Sequence, residues 1–302
     1  MNTPTLDLNP TPAGPDAVRR VPGPGNLPFL QVRNAHAEAV VSLYGAQVLS
    51  YRPVGAGADV LFLSERANYE IGKAIRGGVP VCWPWFGPDP QGLGRPNHGF
   101  ARTRLWSVLS TDHSPAGETR VALGLRDTPD TRALWPHAFE LTLQITVGTT
   151  LRLALTTRNT GDAPFQLTQA LHSYFAVGDI ARTAVKGLEG CSYIDNATGA
   201  GGAVKRQTGA VHIAAEVDRI YTGVPAALEI VDDALQRRTR LSAQGSRTAV
   251  VWNPWISIAA GMTDLKDDAY LRFVCVETAN VADEVVTVPP GGEHGMAVEV
   301  SV

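Results

Sequence analysis

Three cysteines in 302 residues, Cys82, Cys191 and Cys275, are too few and too unevenly spaced for a disulfide framework. No CxxC pair occurs, and an odd number cannot all pair within one chain, so the pattern fits a reducing compartment. An excess of either charge is also lacking. Lys and Arg number 26 against 29 Asp and Glu, for a net charge of −3, which excludes the general basic field that attracts nucleic acid or an anionic membrane. Any bound anion must be held by local arginines. The N-terminal residues lack the charged and apolar regions of a signal peptide, and no later run is apolar for the ~20 residues of a membrane-spanning helix. The expectation is a cytoplasmic monomer with no nucleic-acid or membrane partner. Helical periodicity over ten or more residues is hard to find, the best short candidate being 262–268, and no repeat of fixed period argues for a propeller or solenoid. GxSxG, Walker A and GxGxxG signatures are missing, which leaves hydrolase triads and nucleotide chemistry little to stand on. The seven histidines are scattered without HxH or HExxH, so no metal site is expected.

What is present is short strands. With 44% hydrophobic and 18% charged residues the chain can bury a sizeable core. Leu141, Leu143, Ile145 and Val147 alternate with polar residues; Gly148-Thr149-Thr150 follows, and Leu151, Leu153 and Leu155 alternate again. This predicts a hairpin with one buried face. Similar runs occur at 29–34, 38–53, 59–63, 104–111, 119–126, 164–177, 211–221, 226–231, 247–252, 270–277, 284–288 and 296–302. Residues 1–26 are Pro/Gly-rich without hydrophobic period and read as a flexible arm. With no linker-like break after it, 27–302 is expected to form one all-β, mainly antiparallel domain of two large sheets packed face to face.

Polar donors and flat apolar surfaces concentrate between Ile75 and Arg102, where arginines, Asn97, His98, tryptophans and phenylalanines sit among glycines and prolines. Aromatic faces can cover the C–H side of a pyranose, amide and imidazole groups take its hydroxyls, and arginine suits an attached phosphate. A rigid loop folded around its own tryptophans would read the same way. On a strand, Phe165, Leu167, Leu171, Phe175 and Val177 share one face, so His172 and Tyr174 point to the other. That turns His172 toward a cleft or water, as a reactive group or as a hydrogen-bonded structural histidine. Glu277 ends a run, 269–277, whose apolar residues occupy both parities as in a strand covered on both faces. Partial desolvation there raises a carboxyl pKa and suits it to accept a proton near neutrality, although a strand-end glutamate paired with an arginine fits equally. Asp218 is a turn-type aspartate with a weaker claim.

Ile75-Arg-Gly-Gly-Val-Pro-Val-Cys-Trp-Pro-Trp-Phe-Gly87, His98-Gly-Phe-Ala-Arg102, Leu171-His-Ser-Tyr-Phe175, Asp218-Arg-Ile-Tyr221, Val251-Trp-Asn-Pro254 and Cys275-Val-Glu277 stand in an order that resembles hexose-6-phosphate mutarotases, the glucose-6-phosphate 1-epimerases of the aldose 1-epimerase superfamily. The resemblance runs from about residue 29 to the C-terminus. It implies a galactose-mutarotase-like β-supersandwich, in agreement with the strand pattern. It also implies roles: Glu277 takes the proton of the anomeric hydroxyl, and His172 protonates the ring oxygen. Arg76, Asn97, Arg102 and Asp218 become substrate-binding positions, with His98 close to the sugar. No cofactor is implied, because only protons move. Two arginines favour a sugar phosphate as the small-molecule partner, since guanidinium pairs bidentately with phosphate. Trp85 departs from the polar residue expected after Trp83-Pro84 and would alter the pocket wall. Other readings of the same residues are a mutarotase of a free aldose and a catalytically idle sugar-phosphate-binding protein. A glycoside hydrolase would use Asp218 and Glu277 as its two carboxylates.

Overall fold

The computed structural model describes residues 17–302. Two large sheets dominate, and every strand pair in them is antiparallel. The nine-stranded sheet runs in the order Val211–His212, Thr183–Lys186, Ala227–Asp232, Arg237–Gln244, Glu293–Ser301, Leu151–Asn159, Phe139–Val147, Thr119–Arg126, Ser107–His113. The eight-stranded sheet runs Ala203–Arg206, Ser192–Asp195, Val217–Thr222, Thr248–Asn253, Phe273–Asn280, Gln169–Leu171, Val81–Cys82, with Tyr174–Ala176 also paired to Phe273–Asn280. A four-stranded sheet from Ala17–Pro22 to Gln47–Pro53 and a two-stranded pair, Phe165–Leu167 with Val286–Val288, complete the β structure.

The expected hairpin is present, with Leu143 opposite Leu155 and Ile145 opposite Leu153. Its buried face joins Val274, Val276, Val251 and Tyr221 of the eight-stranded sheet in one apolar cluster. The eight-stranded sheet therefore commits one parity to this core. The other parity carries Asp218, Ile220, Val250, Trp252, Cys275 and Glu277, and this second face bears the site described below.

Several expectations need correction. Residues 1–16 of the proposed arm lie outside the described residues, but Ala17–Pro22 is a strand paired with Pro28–Arg33, with Val18 opposite Val32 and Val21 opposite Phe29. Its Val-Arg-Arg-Val order has no clean period of two, so backbone pairing rather than pattern defines it. The helix candidate at 262–268 is a series of turns; the helix lies just before it, Trp255–Gly261, and Thr263, Asp264, Asp267 and Asp268 compete with helical backbone bonds beyond it. A second helix, Pro129–Leu134, starts at Thr128, whose hydroxyl accepts from the Thr131 N–H. The run 38–53 is two strands around Gly45 and Ala46, both at positive φ, and 59–63 forms only isolated bridges.

Candidate active site

Glu277 lies in the middle of Phe273–Asn280, opposite Val250, rather than at a strand end. Position 277 shares the second face with Phe273 and Cys275, so the carboxylate projects into a cavity of about 680 Å³. His172 reaches the same cavity from the break between Gln169–Leu171 and Tyr174–Ala176. Its N–H donates to Pro80 O at 3.0 Å, and its ring lies parallel to that of Tyr174, with centroids 4.8 Å apart and planes 8° off. The even-parity placement of His172 with Tyr174 thus holds across the break.

His172 Nδ1 is 3.2 Å from Glu277 Oε1, with side chains 9% and 1% exposed. No aligned hydrogen bond joins them, and among the described residues Nδ1 and Glu277 Oε2 are both buried without a protein partner. Burial pushes the Glu277 carboxyl well above its ordinary range, with the Asp218 charge adding and Arg102 opposing. Burial also drives His172 well below its ordinary value, reinforced by the charges of Arg102 and Arg76. The pair is therefore driven toward holding a single proton between two desolvated groups.

His98 faces this pair across 5.8 Å between ring centroids. Its backbone is at φ 64, and Gly99 follows at φ 71, where a Cβ would stand 2.0 Å from Trp83 O. Burial, Arg102 and Arg76 lower its pKa to about 3, so the ring is neutral at ordinary pH. The Gly87 N–H donates to Nδ1 at 3.2 Å. That fixes the proton on Nε2, so His98 offers the cavity a donor.

Arg76 lines the cavity with Nε and Nη2 each 3.1 Å from Asp264 Oδ2 and with Nη1 donating to the Tyr174 hydroxyl at 2.9 Å. Gly77 and Gly78 thread the chain under it at φ 111 and 59, where Cβ atoms would meet Phe62 O at 2.5 Å and Val48 O at 2.2 Å. Buried Gln47 donates from Nε2 to the carbonyls of Ile75 and Gly77 at 3.0 and 2.6 Å, pinning this turn to the Gln47–Pro53 strand. Asn97 sits exposed at the mouth. Asp218 is on the floor, its carboxyl raised by burial and by Glu216 and Asp195, while Asn196 hydrogen-bonds it and opposes the rise.

Arg102 is not among the residues that line the cavity; its Nη2 donates to the carbonyl of Asn97, a residue of the mouth, at 2.8 Å. Its charge still reaches His98, His172 and Glu277. Trp85 does not alter the wall either. It is 3% exposed and packed in the main core, donates from Nε1 to Pro96 O at 2.9 Å, and is covered by Arg95 at 4.3 Å. Arg95 in turn pairs with Asp89, whose carboxylate also accepts from the Gln91 and Leu93 N–H groups at 3.0 and 2.7 Å. This clamp holds the loop between Gly87 and His98.

Six of the seven residues singled out in the sequence line one cavity, and Arg102 is bonded to one of them, Asn97. Sequence reasoning missed Asp264 and Asn196, which sit outside the strands with no period, and it gave Trp252 no role although it lines the wall with Phe86. Among the described residues no three His, Cys, Asp or Glu side chains gather as a metal-ligand set, and no helix is long and apolar enough to cross a membrane.

A family model described as aldose 1-epimerase matches residues 28–301. A protein of Escherichia coli K12, provisionally named glucose-6-phosphate 1-epimerase, is 38% identical over 257 residues, which are 85% of this chain and 84% of that protein. A Cenchrus ciliaris protein with the same provisional name is 38% identical over 269 residues, 86% of this chain and 79% of its own length. The crystal structure of YeaD from Salmonella typhimurium, titled provisionally as a mutarotase, superposes with a TM-score of 0.87 at 32% identity, covering 98% of this chain and 96% of that one.

Proposed function

The chain belongs to the aldose 1-epimerase family, and from that premise we propose that it interconverts the α and β anomers of a hexose 6-phosphate, foremost D-glucose 6-phosphate, with Glu277 as base and His172 as acid. The observation that carries the assignment is the desolvated His172–Glu277 pair at 3.2 Å, with unpartnered polar atoms on a cavity wide enough for a sugar. The relatives' names support the substrate.

In the proposed reaction the shared proton first moves from Glu277 Oε1 to His172 Nδ1, leaving an imidazolium whose Nε2–H faces the ring oxygen. Glu277 Oε2 then takes the proton of the anomeric hydroxyl while Nε2 gives one to the ring oxygen, and the C1–O5 bond breaks to an aldehyde. One proton leaves the sugar and one arrives. The open chain thus faces neutral His172 and protonated Glu277, the same charge states that burial favours before the sugar reacts, so ring opening leaves no buried charge behind. Rotation about C1–C2 and reversed transfers close the other anomer. His98, Asn97 and Asp218 hold hydroxyls, Trp252 and Phe86 flank the ring, and Arg76, backed by the Arg102 charge, draws the phosphate.

One observation favours a second reading, a mutarotase of free aldoses: the Arg76 guanidinium is already paired with Asp264, and Arg102 lies outside the wall. Anomer exchange by NMR on glucose 6-phosphate, glucose and galactose separates the two. Faster exchange of the phosphate ester supports the first, equal exchange the second, and none on any sugar sinks both.

A further inference from the structure

The arginine that draws the phosphate and the histidine that delivers the proton are joined through Tyr174. A guanidinium carries five N–H donors. In Arg76, Nε and Nη2 face Asp264 Oδ2 at 3.1 Å and Nη1 donates to the Tyr174 hydroxyl at 2.9 Å. One N–H on each of Nη1 and Nη2 is left without a partner among the described residues, and these two remain for an oxyanion. Ser64 fixes both members of the ion pair: its N–H donates to Arg76 O at 3.1 Å and its hydroxyl to Asp264 O at 2.7 Å. Tyr174 lies opposite Cys275, one rung before Glu277 on the face that bears the site. Its ring is the one stacked on His172, 4.8 Å away and 8° off parallel. Guanidinium, phenol and imidazole thus form one line, and its two ends, Arg76 and His172, open on the same cavity.

We propose that the phosphate of the substrate activates the site as well as anchoring the sugar: an oxyanion seated on Arg76 speeds ring opening at His172, so that inorganic phosphite accelerates anomer exchange of an aldose that carries no phosphate. This rests on the mutarotase reading for the proton path. That path begins by moving a proton from Glu277 to His172, which puts a positive charge on a buried ring. Burial opposes the imidazolium, and so do the charges of Arg102 and Arg76, whereas the charges acting on Glu277 are those of Asp218 and Arg102. Arg76 therefore weighs on the histidine more than on the glutamate, and its pair with Asp264 does not remove that effect. An oxyanion with two negative charges on Arg76 outweighs the single guanidinium charge and makes the imidazolium easier to form. A free sugar brings no such charge, so the guanidinium goes on opposing the proton transfer. Binding energy at the far end of the substrate is then expressed in the chemical step and not in affinity alone.

The test measures anomer exchange of glucose 6-phosphate, glucose and xylose by NMR, with the rate of the same solution without protein subtracted because oxyanions are themselves general acid–base catalysts. Xylose lacks C6 and leaves room for a separate ion beside it. Inorganic phosphite should raise kcat/KM for xylose by roughly tenfold or more, with saturation, and kcat for glucose 6-phosphate should exceed that for glucose by a similar factor. Arg76→Ala should abolish the activation. Phosphite that only inhibits xylose exchange, or leaves it unchanged, overturns the proposal, as does an equal kcat for glucose and its phosphate with the difference confined to KM. Undiminished activation in Arg76→Ala would put the ion elsewhere and overturn it too. Should that variant misfold, Tyr174→Phe decides, because it keeps the stacked ring and removes the hydroxyl that holds Nη1: weakened activation supports the line from Arg76 to His172, and unchanged activation refutes it. Exchange of glucose 6-phosphate with no response of xylose to phosphite sinks this inference alone, whereas no exchange of any sugar, with or without phosphite, sinks the mutarotase reading.

Discussion

At the scale of single residues the chemistry rests on two buried groups sharing one proton. Glu277→Gln and His172→Asn should each lower kcat by about a hundredfold or more with KM within a few-fold, because neither touches Arg76, Asn97 or Asp218. The double variant should be little worse, since an acid without its base has no productive partner; steady-state kinetics checks this, and a single variant retaining a third of wild-type kcat would remove that residue from the proton path. The pH profile follows from the directions of the shifts. The reactive pair holds one proton, gains a second only below the lowered His172 range, and loses its last as the raised Glu277 ionises. Activity should therefore form a broad plateau, with limbs belonging to the pair. Stability has a sign of its own. The folded protein keeps the Glu277 proton above the pH at which the unfolded chain releases it, so stability present below the ordinary carboxylate range is lost as pH rises through the folded pKa. Glu277→Gln should consequently melt above wild type in mildly alkaline buffer, and a lower Tm there would contradict the buried neutral carboxyl. Motif order brought His172, Glu277 and four binding residues to one place. It did not reveal the bond of Arg102 to the Asn97 carbonyl, or Asp264, whose bond to Arg76 joins positions 188 residues apart with no local pattern.

At the scale of elements, the site depends on turns that only glycine can make. Gly78→Ala would place a Cβ 2.2 Å from Val48 O at φ 59, costing roughly 1–3 kcal/mol in backbone strain alone, with the collision added. Denaturant unfolding should show that loss, and KM should rise as Arg76 shifts; an unaltered midpoint would mean the turn relaxes freely. Gln47→Ala removes two buried bonds to the same turn, and about 1–3 kcal/mol is expected for leaving buried groups unpaired. Strands with clean alternation, such as Phe139–Val147, were legible because a half-buried sheet imposes a period of two. Arg237–Gln244 was not, since its Arg-Arg-Thr-Arg-Leu-Ser-Ala-Gln buries only Thr239 and Leu241. Thr183–Lys186, Ser192–Asp195 and Ala203–Arg206 are too short to show a period. Glu277's place in mid-strand was missed because Thr278 and Asn280 read as the polar end of a run although both are buried.

At the scale of the whole molecule, one apolar cluster draws from residues between Leu30 and Val300, and the expectation that 27–302 is one domain can be tested directly. Thermal unfolding followed by far-UV circular dichroism and by fluorescence of the six tryptophans should then give coincident transitions; separated ones would split the chain into two units. The two-faced central sheet also constrains descent. Because odd and even positions of Phe273–Asn280 serve chemistry and packing separately, deleting one residue within it would carry every later side chain to the opposite face. Val276 and Glu277 would trade surroundings, and catalysis and folding would fail together. Substitutions there can accumulate one at a time, but length changes cannot. Lineages of this fold should therefore differ in length at the connections, such as 88–96 and 197–202, and keep these central strands in step.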